Sequence, residues 1–405
     1  MIGETVRGAT EPGDPGWSDR ENMGENDNEN AENGKNLLII ADSETDSDLL
    51  YATGFLVPDP LIYLELDGDK ILLVSDLEYG RARAQARVDH VVSISPYEEE
   101  LRERGTPVRP TAVLDLFLKE RDIRDLVVPG SFPLGHAEPL RELGYELNVR
   151  QDPFFPQRTI KRADEVEAIH RCQQATEECM LFVIDRLKRS EIRGNGLVLA
   201  SGEPQTSERL RREARRVLLD RGFLAKAIII AGGDQGCDPH DDGSGPLPAN
   251  RPIIIDIFPR SLETRYWGDM TRTVVRGQAS AGVKKLYRDV LAAQETAFEL
   301  LRPGAHGKDV HQAVIDSFDA NGNPTEEREG RKVGFIHGTG HGVGLDIHEM
   351  PRIGKVGSPL EEGQVVTVEP GLYYPGTGGV RIEDLVVITG NGYRNLTTFP
   401  KELEI

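Results

Sequence analysis

Residues 36–150 alternate short apolar runs with amphipathic stretches. Short apolar runs bounded by turn residues predict strands, and apolar residues three or four positions apart predict helices. The turn Asp67-Gly68-Asp69 between two such runs predicts a hairpin. The predicted strands are 37–40, 61–66, 70–74, 91–94, 125–128 and 145–149, and the predicted helices are 111–120 and 134–143. This alternation is typical of a small α/β domain.

Longer helices interspersed with strands are predicted in residues 163–405. Apolar residues at helical spacing predict a helix over 163–188 with Cys172 and Cys179 in its buried stripe. Further helices are predicted at 207–221, 283–301 and 308–320, and strands at 227–231, 253–258, 271–275, 364–369 and 380–388. Because helices and strands do not strictly alternate here, an α+β fold with a largely antiparallel sheet is favoured over a doubly wound fold.

Two further segments complete the predicted domain organisation. Residues 1–35 are rich in acids and asparagine and nearly lack large apolar side chains, which predicts a disordered acidic tail. Residues 151–162 contain prolines that favour extended backbone and are interpreted as a linker. The predicted order is therefore tail, N-terminal domain (36–150), linker and C-terminal domain (163–405).

The charge balance narrows the function. The chain has 48 Lys and Arg against 68 Asp and Glu, a formal charge of -20. Nucleic acids and anionic membranes attract basic surfaces, so we expect neither as a partner. No apolar run is long enough to span a bilayer, and no secretory signal pattern is seen. Three cysteines cannot form a disulfide framework, so a cytoplasmic location is expected.

A histidine cluster gives the first indication of chemistry. His337, His341 and His348 lie in the segment HGTGHGVGLDIH. The glycines between them lack Cβ atoms and let backbone or substrate approach closely. The spacing differs from that of a phosphate-binding glycine loop, and no helix is predicted after it. The segment therefore predicts a binding loop that does not hold phosphate.

Four carboxylates in or beside predicted strands give the second indication: Asp256, Asp269, Glu369 and Glu383. Acids are depleted from strand interiors and are costly to bury without a partner. Each one alone has a structural explanation, such as an ion pair of Glu383 with Arg381. Four acids near a histidine cluster instead predict bound cations.

A dinuclear metal site follows from this set of side chains. Four carboxylates and one imidazole balance the charge of two divalent ions, with manganese as first choice and cobalt, zinc or iron as alternatives. Paired ions of this kind support hydrolysis of amide bonds. Cys237 and His240 lack the further ligands of a zinc site and are not assigned to one.

From residue 161 to 405 the chain resembles the pita-bread metallopeptidases, the family of aminopeptidase P, prolidase, methionine aminopeptidase and creatinase. The resemblance rests on the histidine motif and on ligands in the family's order: Asp256, Asp269, His341, Glu369 and Glu383. It implies a pita-bread domain preceded by a smaller creatinase-like α/β domain. Asp269 and Glu383 would bridge two metal ions. Asp256 would bind one ion, and His341 and Glu369 the other.

The resemblance also implies roles for the remaining site residues. His348 would stabilise the tetrahedral intermediate, Glu369 would carry a proton, and Arg381 would support the bridging acids. We assign His348, Glu369 and His337 to catalysis, and His240, His337 and Arg381 to substrate binding. The chain departs from the family at 257–259, where relatives often have an aromatic residue and then glycine, and its loop to Asp269 is slightly long.

The activity implied is hydrolysis of the Xaa-Pro bond of proline-containing peptides. The first prediction is an Xaa-Pro aminopeptidase, and the alternative is an Xaa-Pro dipeptidase, or prolidase. The choice depends on whether the pocket closes just beyond proline. A metal-free pita-bread binding module is a third hypothesis, which the retained ligands disfavour. The resemblance also implies a homodimer.

Overall fold

The computed structural model describes residues 36–405, so the predicted acidic tail at 1–35 lies outside the described residues. The chain divides into two compact units. Of the described residues, one unit contains 36–40, 61–84 and 88–150, and the other contains 41–60, 85–87 and 151–405. Residues 41–60 and 85–87 thus pack with the second unit, although the sequence analysis assigned them to the N-terminal domain. The other predicted domain boundaries stay predictions.

A six-stranded mixed sheet forms the centre of the first unit, in the order β4-β3-β2-β1-β5-β6. The strands are β1 (Asn36–Ala41), β2 (Leu61–Leu66), β3 (Asp69–Val74), β4 (His90–Ser93), β5 (Asp125–Pro129) and β6 (Glu146–Arg150). The helices up to residue 150 are α1 (Ser47–Thr53), α2 (Asp76–Gln85), α3 (Ser95–Glu103), α4 (Pro110–Lys119) and α5 (Leu134–Glu142). The β2–β3 hairpin is antiparallel as predicted, whereas β3–β4, β1–β5 and β5–β6 are parallel.

Every strand and helix predicted in this region is present, but α1, α2 and α3 were not predicted. Helix α2 buries only Glu78 and Ala82, and α3 buries only Leu101. Such helices lack the apolar stripe from which a helix is predicted. Helix α4, which was predicted, contributes Leu114 and Phe117 to the core of this unit.

The second unit has four long helices, two antiparallel sheets of three and five strands, and four two-stranded ribbons among the described residues. Its helices are α6 (Ala163–Lys188), α7 (Ser207–Leu219), α8 (Ala281–Leu300) and α9 (Gly307–Ala320). Its strands are β7 (Glu191–Arg193), β8 (Gly196–Val198), β9 (Phe223–Leu224), β10 (Ile228–Gly232), β11 (Ile253–Ile257), β12 (Arg260–Ser261), β13 (Met270–Val274), β14 (Glu326–Arg328), β15 (Arg331–Val333), β16 (Gly340–Gly342), β17 (Glu349–Ile353), β18 (Val365–Val368), β19 (Gly371–Tyr374), β20 (Gly378–Arg381), β21 (Asp384–Thr389) and β22 (Gly392–Asn395).

Each sheet of the second unit packs against a pair of helices. Helices α6 and α7 share a core with the three-stranded sheet β10-β11-β13, and both Cys172 and Cys179 are buried as predicted. Helices α8 and α9 share a second core with the sheet β17-β16-β18-β21-β22 and the ribbon β19-β20. The named strand pairs of this unit are antiparallel, so the α+β prediction is confirmed. Within residues 36–405, no helix has both the length and the apolar character needed to cross a membrane.

The predicted strand 380–388 is in fact two strands. Strand β20 pairs with β19, whereas β21 pairs with β18, so the chain changes sheets at residues 382 and 383. Glu383 therefore lies between strands and not inside one, and its amide donates to the Thr271 carbonyl at 3.1 Å. This change of sheet places the Glu383 carboxylate beside Thr271, near the start of β13.

Candidate active site

The predicted site residues meet in one cavity of about 660 Å³ in the second unit. Its wall includes all nine of them: His240, Asp256, Asp269, His337, His341, His348, Glu369, Arg381 and Glu383. Both sheets of the unit contribute. Asp256 lies in β11 and Asp269 directly precedes β13 of one sheet, whereas His341 lies in β16 and Glu369 directly follows β18 of the other. The roles assigned to them above stay predictions, while their proximity is a feature of the fold.

The β11–β13 ladder places two of the acids on one face. Asp256 pairs with Thr271, and Asp269 lies two positions before Thr271. Side chains two positions apart on a strand share a face, so both carboxylates point the same way. Gln173 fixes the backbone of Asp269, accepting from its amide and donating to its carbonyl oxygen, both at 2.9 Å. Gln173 of helix α6 thus fixes the backbone of Asp269, the residue directly before β13.

His341 presents one ring nitrogen to the acids. Its Nδ1 lies 3.1 Å from the Gly342 carbonyl oxygen, which requires a proton on Nδ1. The Nε2 lone pair then lies 3.4 Å from Glu369 Oε1 and 3.7 Å from Asp269 Oδ2. Burial, with a contribution from His348, lowers the pKa of His341 to about 3. The imidazole is therefore neutral, which is the form that binds metal ions.

Burial also opposes ionisation of the acids. It raises the pKa values of Asp269 and Glu383 well above their usual range, and neighbouring carboxylates add to both shifts. Burial raises the pKa of Glu369 to about 7, although the charge of Arg381 opposes the shift. For Asp269, Glu369 and Glu383 to be ionised at the same time, an added positive charge must lie among their oxygens.

The donor set fits divalent metal ions. Asp269, His341 and Glu383 each offer a ligand atom, and the three atoms lie within 4.8 Å of one another. Asp256 Oδ1 is buried and has no hydrogen-bond partner among residues 36–405. Bound cations would explain both the unpaired oxygen of Asp256 and the lone pair of His341 that faces carboxylates. A cation accepts electron pairs from carboxylate oxygens and from imidazole nitrogen alike.

A chain of hydrogen bonds runs from Asp256 through Arg381 and Tyr373 to His337. Arg381 donates to Asp256 Oδ2 at 2.7 Å and to the Tyr373 hydroxyl at 2.9 Å. Tyr373 lies 2.8 Å from His337 Nε2, and His337 Nδ1 lies 2.8 Å from the Gly338 carbonyl. His337 therefore donates from Nδ1 and accepts from Tyr373 at Nε2. The ion pair of Arg381 is with Asp256, and not with Glu383 as the sequence suggested.

His348 and His240 differ from the buried histidines. Both are exposed at the cavity, and the His348 ring meets the His341 ring edge to face at 4.3 Å. Burial and then the charge of Arg352 lower the pKa of His348. A neutral His348 keeps an N–H that faces the cavity without competing for a metal ion with His341.

The glycines of the histidine motif allow strands to approach closely. A Cβ on Gly340 would lie 1.9 Å from the Thr367 carbonyl oxygen, and one on Gly342 would lie 2.3 Å from that of Met350. Distances this short are impossible for a side chain. The motif glycines thus make room for β17 and β18 on either side of His341, and so the predicted close approach involves the protein's own backbone.

Two cavity residues were not singled out from the sequence, Phe258 and Arg352. Tyr373, which is buried and contacts Arg381 and His337, was also missed. Phe258 falls in the segment that departs from the family and contributes an aromatic ring to the cavity wall. Arg352 lies directly across from His341 in the β16–β17 ladder. In the sequence, the one clue to Arg352 was its position four residues after His348. The strand register is what shows that it faces the site.

Comparison with known proteins agrees with this geometry. Residues 167–390 match the metallopeptidase family M24. The chain is 30% identical over 315 residues to an Xaa-Pro dipeptidase of Pyrococcus horikoshii, covering 76% of this chain and 83% of the relative.

Solved structures match over nearly the whole chain. The prolidase from Pyrococcus horikoshii has a TM-score of 0.74 at 26% identity, covering 92% of this chain and 96% of that one. An X-Pro aminopeptidase from Thermotoga maritima has a TM-score of 0.73 at 23% identity, covering 92% and 98%, and shares the fold. These matches confirm the predicted pita-bread architecture with its N-terminal domain, in a family whose members depend on two metal ions. The chain therefore belongs to metallopeptidase family M24.

Proposed function

We propose that this protein is an Xaa-Pro dipeptidase, which hydrolyses the bond before proline in free dipeptides. This is the alternative of the sequence analysis, and it is better supported than the aminopeptidase first predicted. The 30% identical relative is named an Xaa-Pro dipeptidase. The observation in this chain that carries the proposal is the position of Arg352 in the cavity wall.

Arg352 is placed to bind the end of a dipeptide. Residues directly opposite in a ladder share a face, so Arg352 lies on the same face as His341. It is exposed, and within residues 36–405 it has no ion pair. In a dipeptide a free carboxylate follows the proline ring immediately, whereas a longer peptide has a neutral amide there. A guanidinium binds a carboxylate through two parallel hydrogen bonds, which favours the dipeptide.

Two divalent ions, manganese as first choice, would be held by Asp256, Asp269, His341, Glu369 and Glu383. When bound, the ions would polarise the scissile carbonyl and lower the pKa of the attacking water. The orphaned Asp256 oxygen and the neutral Nε2 of His341 support this assignment.

The chain's own groups would carry out the remaining steps. Glu369 would take a proton from the attacking water and deliver it to the proline nitrogen as the peptide bond breaks. His348 would donate its N–H to the oxygen on which negative charge develops. His337, whose two nitrogens are already hydrogen bonded, would serve with His240 as a wall of the pocket, and Arg381 would orient Asp256.

The test compares three substrates of increasing length. With manganese added, we expect rapid hydrolysis of Ala-Pro, and weak hydrolysis of Ala-Pro-amide and Ala-Pro-Ala. Arg352→Met should raise KM for Ala-Pro while leaving KM for Ala-Pro-amide unchanged, because only the first substrate has the carboxylate. Preference for Ala-Pro-Ala over Ala-Pro would instead identify an aminopeptidase. Cytoplasmic location and a homodimer stay part of the proposal, and light scattering tests the second.

A further inference from the structure

Residues 344–349 are here called the His348 loop. They comprise most of the connection from β16 to β17 and the first residue of β17, and charged side chains outside the cavity hold them. Arg158 lies in a short 3-10 helix, Pro156–Thr159. It donates from Nη2 to Asp346 Oδ2 at 2.8 Å and to Glu349 Oε2 at 3.2 Å. Its Nη1 donates to Asp48 Oδ1 at 2.7 Å. One guanidinium thus binds two carboxylates of the loop and ties them to helix α1.

Lys161 adds a second bond to the same loop. Its Nζ donates to Glu349 Oε1 at 2.6 Å, and its side chain is only 2% exposed. The two oxygens of Glu349 are therefore bound by different cations. Arg158 and Lys161 lie three positions apart on the short segment before helix α6, so both bonds reach the loop from the same part of the chain.

Neutral contacts hold the loop from other directions. Trp267 Nε1 donates to the Leu345 carbonyl oxygen at 2.9 Å, and Ser47 donates to Asp346 Oδ1 at 2.7 Å. A Cβ on Gly344 would lie 2.5 Å from Glu349 Oε1, so glycine there makes room for the bound carboxylate. These contacts hold the loop at residues 344–346 and at Glu349, on both sides of His348.

His348 itself depends on its neighbours for its position. Among residues 36–405 its imidazole has no hydrogen bond, and its one ring contact is with His341. Two residues before it stands Asp346, and directly after it stands Glu349. The direction of the His348 side chain therefore follows from the backbone that these two bound carboxylates anchor.

Stability alone does not explain such a network. The side chains of Arg158 and Glu349 are each 10% exposed. Removing such charges from water costs about as much as their attraction returns, and apolar residues of similar size often stabilise a fold equally well. Burial lowers the pKa of Arg158, but the charges of Glu349, Asp48 and Asp346 outweigh it and raise the pKa. What the network adds is a defined geometry.

We propose that Arg158 and Lys161 are positioning residues for His348. They bind the carboxylates on either side of the histidine and so fix the direction in which its imidazole N–H points. The inference rests on the proposed function in one respect, namely that His348 donates to the carbonyl oxygen of the substrate.

The test uses Arg158→Met and Lys161→Met in the full-length, manganese-loaded enzyme. We expect kcat on Ala-Pro to fall about 10- to 100-fold in each, with bound metal and KM unchanged. Arg158→Lys should recover part of this loss, because it keeps the charge but cannot bind two carboxylates in one plane. The matched control is Arg162→Met, since Arg162 is exposed and its ion pairs within residues 36–405 are with Asp164 and Glu165, not with the His348 loop.

A double variant separates positioning from general damage. In a His348→Ala background, Arg158→Met should lower kcat no further, because the group it positions is absent. A full additional loss would overturn the proposal, as would wild-type kcat in both single variants or a loss that follows loss of metal. Should Arg158→Met fail to fold, Asp346→Asn removes the charge of the most exposed carboxylate that Arg158 binds. A smaller fall in kcat is then expected.

Hydrogen exchange tests the loop without any substrate. Amides of residues 344–349 should exchange faster in Arg158→Met than in Arg162→Met, whereas amides of α8 should not change. Unchanged exchange would overturn the positioning role even in an enzyme active on Ala-Pro. If the wild-type protein does not cleave Ala-Pro but the loop still loosens, the proposed function fails and the anchoring of the loop stands.

Discussion

Arg381 binds one oxygen of Asp256, at 2.7 Å, and the other oxygen is buried with no partner in the described part of the chain. The same guanidinium donates from Nε to the Thr271 hydroxyl at 3.2 Å, and that hydroxyl donates to Glu383 at 2.8 Å. One cation thus orients two carboxylates without occupying the oxygens that face the cavity. The free oxygen of Asp256 is the one a metal ion would use.

Removing this support should weaken metal binding without removing a ligand. We expect Arg381→Met to lower the affinity for manganese about 10- to 100-fold, as for other groups that orient metal ligands. Titration calorimetry on the chelator-treated protein measures the change. Arg251→Met is the control, because Arg251 forms an exposed ion pair with Asp234 away from the site. Equal affinities in both variants would contradict the orienting role of Arg381.

Removal of the metal ions should destabilise the whole second unit. Buried acids such as Asp269 and Glu383 repel one another, and bound cations neutralise that repulsion. Adding manganese at about 100 times its Kd to chelator-treated protein should raise Tm by roughly 5 to 10 °C. Elemental analysis should find two ions per chain. An active protein without bound divalent ions, and with no change in Tm, would contradict the dinuclear site.

Much of this site was predictable because the chemistry is unusual for the local structure. Asp256 interrupts an apolar strand, and a carboxylate there stands out in the sequence whatever the fold. Glu383 stands out for the same reason, but its placement inside one strand was wrong. The change from the β19–β20 ladder to the β18–β21 ladder leaves no mark in the hydrophobic pattern, because both strands are buried.

Other features depend on contacts that the sequence does not display. Arg158 and Asp346 are 188 positions apart, and each alone looks like a surface charge. Arg352 is one exposed arginine in an ordinary strand, and its importance follows only from its register with His341. Helices α2 and α3 escaped prediction because they bury little apolar surface. Helix α1 escaped it because seven residues are too few to show a helical period.

Two histidines of the motif should fail in different ways when replaced. His341 presents Nε2 to the acids, so His341→Ala should reduce bound metal and activity together, with partial recovery at high manganese. His348 faces the cavity without binding the acids, so His348→Ala should keep its metal and lose about 100- to 1000-fold in kcat. Metal analysis and steady-state kinetics on Ala-Pro measure both effects. Loss of metal in His348→Ala, with metal retained in His341→Ala, would exchange the two roles.

Titration of Asp46 should appear in the pH dependence of stability. Asp46 caps helix α1, accepting from the Leu49 amide at 2.7 Å. Burial raises its pKa from 3.8 to about 6. Because the folded protein holds this proton more tightly than the unfolded chain, the stability it contributes is complete below about pH 4. That stability is lost as the pH rises through about 6.

Asp46→Asn keeps a capping side chain but removes the titration. We expect the variant and the wild type to have similar Tm values near pH 4, and the variant to become the more stable of the two by pH 7. Differential scanning calorimetry across this range measures the difference. Asp59→Asn, at an exposed carboxyl, is the matched control. A Tm difference that does not change between pH 4 and pH 7 would show that Asp46 does not titrate in this window.

The Tyr373 hydroxyl links the Arg381–Asp256 ion pair to His337, since it accepts from Arg381 and donates to His337. Tyr373→Phe removes both bonds and leaves the aromatic ring in place. A hydrogen bond to a neutral group contributes about 1 kcal/mol and one to a charged group somewhat more, so we expect a lower Tm and a fall in kcat/KM of about tenfold. Tyr374→Phe is the control, because that hydroxyl donates only to the Pro324 carbonyl outside the cavity. Unchanged kinetics in Tyr373→Phe would mean that the Gly338 hydrogen bond and packing against Phe335 suffice to orient His337.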